Sequence, residues 1–162
     1  MSPRAAWRLE QLGFGEVYDF VHGKSFWLAH GLPTQGLGPS RPRVASAIDR
    51  AVPVCRIGDT IAVANEVLWR TSGWTECVVV NDDMVVAGRL RATQLDNDPA
   101  TNVGAAMEPG PTTIRPDEDL DTVTDRMSKR NIESVLVTDP GGRLIGILRH
   151  GLNRRHGTVE TR

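Results

Sequence analysis

Val135-Leu136-Val137-Thr138, followed by Gly146-Ile147-Leu148-Arg149, decides the fold, because the chain has already written the same pattern once. Cys77-Val78-Val79-Val80 and Gly88-Arg89-Leu90-Arg91 stand 58 positions upstream. Working outward, Ile61, Ala64 and Leu68 share one helical face and fall on Leu120, Val123 and Met127, 59 positions downstream. Residues 53–95 thus recur as residues 112–152. Each copy reads as a short strand, a helix, two strands and the start of a second helix. The first long helix is expected over residues 59–72, with Asp59 or Thr60 as its cap and Gly73 ending it. Its counterpart is expected over residues 119–129. Asn81-Asp82-Asp83 and Pro140-Gly141-Gly142 supply the turn chemistry of two hairpins.

A unit of this size cannot bury its apolar face alone, so the two copies are expected to pack on each other. Packing of that kind leaves clefts between the halves, where small ligands bind. That makes sensing a better first reading than catalysis, and composition gives no global pull toward nucleic acid or an anionic membrane. Hydrophobic residues make up 40% and charged residues 24% of 162, with a net charge of −1. No apolar run approaches the roughly 20 residues that span a bilayer. The first seven residues are too poor in hydrophobics for a signal peptide, so the expected location is cytoplasmic. Cys55 and Cys77 are the only cysteines and lack metal-ligand spacing, which reads as two core thiols.

Residues 1–36 read differently. Residues 5–12 form a short helix ended by Gly13, Val17-Tyr18-Asp19-Phe20 alternates like a strand, and residues 24–29 make a second helical turn. Leu12-Gly13-Phe14, Val17-Tyr18-Asp19, Gly23-Lys24, Trp27 and Gly31-Leu32-Pro33 resemble the C-terminal third of a rhodanese (sulfurtransferase) domain. The family's nucleophilic cysteine precedes this segment, so the resemblance implies a fragment without the catalytic loop. A fragment this small needs cover for Phe14, Tyr18, Phe20, Phe26 and Trp27. Residues 37–43 form a linker, and residues 44–50 a short helix leading into the first repeat.

The repeats resemble a pair of CBS (cystathionine β-synthase) motifs. Met107-Glu108-Pro109, Ile114-Arg115-Pro116-Asp117-Glu118, Val135-Leu136-Val137-Thr138-Asp139 and Gly142-Arg143-Leu144-Ile145-Gly146 carry the likeness. The resemblance implies an α/β fold of tandem β-α-β-β-α motifs forming one Bateman module, here with an N-terminal α/β tail. Motif 1 is assigned to residues 44–100, motif 2 to residues 101–156, and a tail to residues 157–162. It also implies a regulatory, non-catalytic module that dimerises and binds AMP, ATP, S-adenosylmethionine or a related ligand, with no cofactor required. In the family a hydroxyl three residues after the strand glycine contacts phosphate, and an aspartate three further on holds the ribose. Here those positions are Arg91 and Gln94 after Gly88, and Arg149 and Leu152 after Gly146. Glutamine accepts fewer ribose hydrogen bonds than a carboxylate, and leucine none. Asp96 and Asn153 lie close enough to substitute if the register slips. By the same resemblance, Val54, Arg56, Thr113 and Arg115 flank the ligand from the first short strand of each motif.

Arg91 and Arg149 admit two readings: an anion site, or strand-end arginines paired with carboxylates. Cys55-Arg56-Ile57-Gly58-Asp59-Thr60 imitates a cysteine-led anion cradle, but Cys55 falls on Ile114 in the repeat, which argues for a buried thiol. Asp117, Glu118, Asp119 and Asp121 suit the first turn of a helix. His22, His30, His150 and His156 have no metal spacing, and the basic tail (Arg149, His150, Arg154, Arg155, His156) lacks the interleaved aromatics of a nucleic-acid surface. Trp69 and Trp74 read as core or dimer-interface residues. Two rivals stay open beside the sensor: a ligand-free dimerisation scaffold, and an accessory partner of a separately encoded sulfurtransferase.

Overall fold

The computed structural model describes residues 3–18, 20, 23–33 and 41–151. Two short helices lead the chain, α1 (Pro3–Gln11) and α2 (Gly23–Ala29). A 3-10 turn (Val44–Ser46) precedes the first repeat, β1 (Val54–Arg56), α3 (Ile61–Arg70), β2 (Cys77–Val80), β3 (Val86–Leu90) and α4 (Ala92–Leu95). A short helix α5 (Val103–Ala106) and strand β4 (Glu108–Pro109) lead into the second, β5 (Thr113–Ile114), α6 (Leu120–Lys129), β6 (Ser134–Thr138) and β7 (Leu144–Arg149). The order is that of the sequence reading. Three expectations change. Val17 and Tyr18 are in no strand, so helices are the only regular elements of the leading segment among its described residues. The helix expected over residues 44–50 shrinks to one 3-10 turn, because Asp49 is drawn into an antiparallel bridge with Ile147. The helix expected over 59–72 spans Ile61–Arg70, and Thr60 caps it through its backbone only.

Each repeat makes one small sheet. The first has the order β1-β2-β3-β4, with β1 parallel to β2 and the rest antiparallel; the second has the order β5-β6-β7 on the same plan. The helix of each repeat covers one face of its own sheet. Cys55, Ile61, Ala64, Cys77, Val79 and Leu90 form one buried cluster, and Ile114, Val123, Met127, Val135, Val137 and Leu148 form its equivalent. The opposite faces meet each other through Val78, Val80, Leu136 and Ile147. Strand residues therefore alternate between a helix-facing and a repeat-facing side, which is why both strands of each hairpin read as nearly continuous apolar runs.

The leading segments of the two repeats are exchanged. Val44 and Ala45 donate to the carbonyls of Glu118 and Pro116 in the second repeat, while Val103 and Gly104 donate to Asp59 and Ile57 in the first. Arg43 bridges Asp119 as Asn102 bridges Thr60. Likewise Asp49 exchanges two backbone hydrogen bonds of 2.9 Å with Ile147, the place where β4 pairs with β3 in the first sheet. Val44 and Val103 are fully buried as a result. Gly88 and Gly146 permit this approach. A Cβ on Gly88 would stand 2.6 Å from Met107 Sδ and 2.7 Å from the Glu108 carbonyl, and one on Gly146 would collide with the Asp49 carbonyl and Ile48.

Candidate functional site between the repeats

The strand ends of both hairpins open on one cleft of about 1170 Å³. Its walls come from Gly73, Trp74, Thr75 and Glu76 before β2, Arg91 and Ala92 after β3, the end of α6 and the turn after it, and Arg149 and His150 closing β7. Arg91 and Arg149, equivalent in the two repeats, thus line the same space. Each is held by a carboxylate from the opposite repeat's leading segment. Arg149 Nη2 sits 2.9 Å from Asp49 Oδ2, its Nη1 donates to the Gly73 carbonyl at 2.9 Å, and its guanidinium lies 4.1 Å above the Trp74 ring. Arg91 Nε sits 3.3 Å from Glu108 Oε2. Asp49 and Glu108 are themselves 59 positions apart, the spacing of the repeat. The arrangement is a pair of crossed ion pairs about a pseudo-twofold axis.

The two pairs differ in solvation. The Arg149 side chain is 27% exposed and its Nε is buried without a partner, whereas Arg91 is 58% exposed. Arg91 is therefore a largely solvated charge open to a ligand, and Arg149 is a fixed plane on an aromatic face. Gln94 is committed elsewhere. Its Oε1 accepts from the Arg91 backbone N–H at 3.0 Å, and its Nε2 donates to Glu108 Oε1 at 3.2 Å.

Of the other sequence candidates among the described residues, none lines this cleft. Val54 is half-buried against the contact between the repeats. Arg56 donates to the Asn81 carbonyl, and Arg115 donates to the Thr138 carbonyl at 3.2 Å, to Thr138 Oγ1 at 2.5 Å and to the Asp139 carbonyl. These two arginines, equivalent in the repeats, tie the first strand to the end of the second. Thr113 is exposed on β5. Leu152, Asn153, Arg154, Arg155, His156 and the tail over residues 157–162 lie outside the described residues, as do Asp19 and His22 and the linker residues 37–40.

Beside the cleft lies a group that sequence reading missed. Arg89 is 6% exposed; its Nη2 donates to Glu76 Oε1 and to Ser134 Oγ, both at 2.7 Å, and Ser134 Oγ donates to the same Glu76 oxygen at 2.8 Å. Burial pushes the Arg89 guanidinium below its ordinary pKa, with Glu76 opposing the shift. Ser134 is the repeat equivalent of Glu76, and Ile147 that of Arg89. The available signal was the mismatch of a charged residue with an apolar one at an inward strand position.

Cys55 and Cys77 are buried, with their sulfurs 3.3 Å apart, as the repeat alignment with Ile114 and Val135 indicates. Asp119 caps α6 by accepting from Thr122 N at 2.9 Å, and Glu118 Oε1 accepts from Arg115 N, so these acids serve the helix start. Among the described residues no cluster of three or more His, Cys, Asp or Glu is placed to hold a metal ion. Nor is any helix long and apolar enough to cross a membrane.

The CBS domain family model matches residues 103–151. No curated protein matches the sequence significantly. Among solved structures, the cytosolic domain of the Mg2+ channel MgtE in complex with ATP is similar at 25% identity and a TM-score of 0.61, covering 66% of this chain and 45% of that one. This chain therefore spans less than half of that domain. The CBS domains of a transcriptional regulator from Streptococcus pneumoniae give 19% identity, TM-score 0.61 and coverage of 67% and 92%. CBSX2 in complex with AMP gives 21%, 0.59, and coverage of 67% and 90%. The CBS domain pair of protein MJ0100, in complex with 5-methylthioadenosine and S-adenosyl-L-methionine, gives 21%, 0.56, and coverage of 67% and 92%. The two sheets, their exchanged leading segments and these neighbours give the chain the fold of a CBS-domain pair, the Bateman module, with the match to the CBS domain family model confined to residues 103–151.

Proposed function

We propose that this chain is a non-catalytic regulatory module that binds a small anionic ligand, an adenosyl nucleotide such as AMP or ATP, in the cleft between its repeats. The observation that carries the reading is the placement of Arg91 and Arg149, one from each repeat, on the walls of one cleft. A phosphate group prefers such guanidinium partners because two parallel N–H donors match its oxygens. The ATP, AMP and S-adenosylmethionine complexes of similar CBS pairs support an adenosyl ligand here. No cofactor is required, and the module works in the cytoplasm. It reports occupancy through a homodimer. Support for the dimer is the outer face of α3, where Trp69 is 85% and Val63 41% exposed, while their equivalents on α6 are Ser128 and Thr122. We keep residues 1–36 as a rhodanese-like appendage on which Trp7, Leu12, Phe14 and Tyr18 are exposed.

A thermal-shift screen with AMP, ATP, S-adenosylmethionine and inorganic phosphate tests the reading. Ligand at a hundred times its Kd adds about 2.7 kcal/mol, enough to raise the midpoint by several degrees. A shift lost in Arg91→Ala supports the sensor; no shift with any compound overturns it. A second reading, the ligand-free scaffold, is favoured by Gln94 and Arg149 already having partners within the chain. It expects an unliganded dimer and a flat screen.

A further inference from the structure

Resting on the ligand-binding reading just given, we infer that Glu108 and Asp49 are internal occupants of the two anion positions, and that a ligand binds by displacing them. Glu108 places one carboxylate oxygen 3.3 Å from Arg91 Nε and the other 3.2 Å from Gln94 Nε2. One side chain therefore meets both Arg91, which lines the cleft, and Gln94 behind it. Asp49 does the same for Arg149 in the second repeat, at 2.9 Å. Recurrence at the repeat spacing shows the contact belongs to the architecture rather than to one flexible surface side chain. Neither acid comes from the repeat whose arginine it holds.

The crossing gives displacement a consequence. Glu108 is half of β4, a two-residue strand held to β3 by the Gly88–Pro109 and Arg89–Glu108 pairing. An anion that takes Arg91 removes the side-chain tie and leaves that short ladder, the Gly110 N–H bond to the Ala87 carbonyl and the buried Val103 to hold the segment. Asp49 likewise holds the first repeat's leading segment against β7. Occupancy of the cleft is thus converted into looser docking of the exchanged segments. The two positions also differ in ease of entry. Glu108 is 48% exposed and Arg91 58%, whereas Asp49 is 36% and Arg149 27% exposed. The first repeat's position opens at lower ligand concentration.

The test is calorimetric titration of the full chain with AMP, ATP and inorganic phosphate, comparing wild type with Glu108→Gln, Asp49→Asn and Glu66→Gln. The first two variants keep the side-chain shape and one of the two acceptor oxygens, and remove the competing charge. Glu66, paired with Arg70 on the outer face of α3, controls for net charge alone. An exposed ion pair corresponds to about a fivefold change in affinity, so Glu108→Gln should tighten binding about fivefold while Glu66→Gln leaves it unchanged. Binding by Glu108→Gln where wild type shows none also supports displacement. Equal affinity in wild type and Glu108→Gln, or equal tightening in Glu66→Gln, overturns the inference and leaves the ligand-binding reading standing. No binding by any variant overturns both.

Discussion

Replacing Arg89 by isoleucine tests how the two repeats are joined. The Arg89 side chain is 8% exposed and that of Glu76 14%. Arg89→Ile removes one ion pair at 2.7 Å and the hydrogen bond to Ser134 Oγ, and leaves the Glu76 carboxylate largely buried with Ser134 Oγ as its remaining donor among the described residues. Breaking a buried pair from one side costs about 3–5 kcal/mol. Glu76 also borders the cleft, so water reaches part of it, which places the loss near about 3 kcal/mol and the midpoint drop at roughly 6–12 °C. The double variant Arg89→Ile/Glu76→Ser copies the second repeat, where Ile147 and Ser134 occupy these positions. Exchange of a buried ion pair for an apolar contact is close to neutral, so the double variant should return to within about 1 kcal/mol of wild type. Urea denaturation of the two single variants, the double variant and wild type closes the cycle. A loss under 1 kcal/mol in Arg89→Ile, or a double variant as damaged as the single one, refutes the reasoning.

Three further outcomes follow from the packing. Gly146→Ala should destabilise the chain more than Gly88→Ala, because its Cβ would meet the Asp49 carbonyl and Ile48 more closely than a Cβ on Gly88 meets the Glu108 carbonyl and the flexible Met107 side chain; equal melting points would contradict the exchanged docking. The hydrogen bond to the Cys55 sulfur, then burial, pushes the Cys77 thiol above its ordinary pKa, while the same bond lowers that of Cys55; because both sulfurs are buried, iodoacetamide at neutral pH should label neither cysteine in the native chain and both in denaturant, and fast native labelling would be inconsistent with the core assignment. The Asp119 carboxyl is held below its ordinary pKa by the Thr122 backbone N–H, so its contribution is present above about pH 4 and is lost as pH falls further; the stability gap between wild type and Asp119→Ala should close over that range, and a gap unchanged at pH 2 would count against the cap.

What the sequence showed and what it hid divide along physical lines. Helix faces and strands were legible because Ile61, Ala64 and Leu68 match Leu120, Val123 and Met127, and burial follows those positions closely. Even the burial of Cys55 was legible, through its alignment with Ile114. The exchange of leading segments was not, since Val44 finds Glu118 and Asp49 finds Ile147 across long stretches of chain, and backbone pairing of that kind leaves no local pattern. The same cause hid Asp49 and Glu108 as partners of Arg149 and Arg91. Arg89 was hidden for another reason: in Gly88-Arg89-Leu90-Arg91 it looks like an outward polar residue alternating with Leu90. That face turns toward the second repeat, where a charge survives only with Glu76 and Ser134 around it.

The most direct test of the central claim is a crystal structure of the full chain grown with AMP or ATP. The account predicts a ligand phosphate within hydrogen-bond distance of Arg91, in the cleft it shares with Arg149, with Glu108 turned away. An empty cleft with the Arg91–Glu108 and Arg149–Asp49 pairs intact, at a concentration that saturates binding in solution, would contradict it.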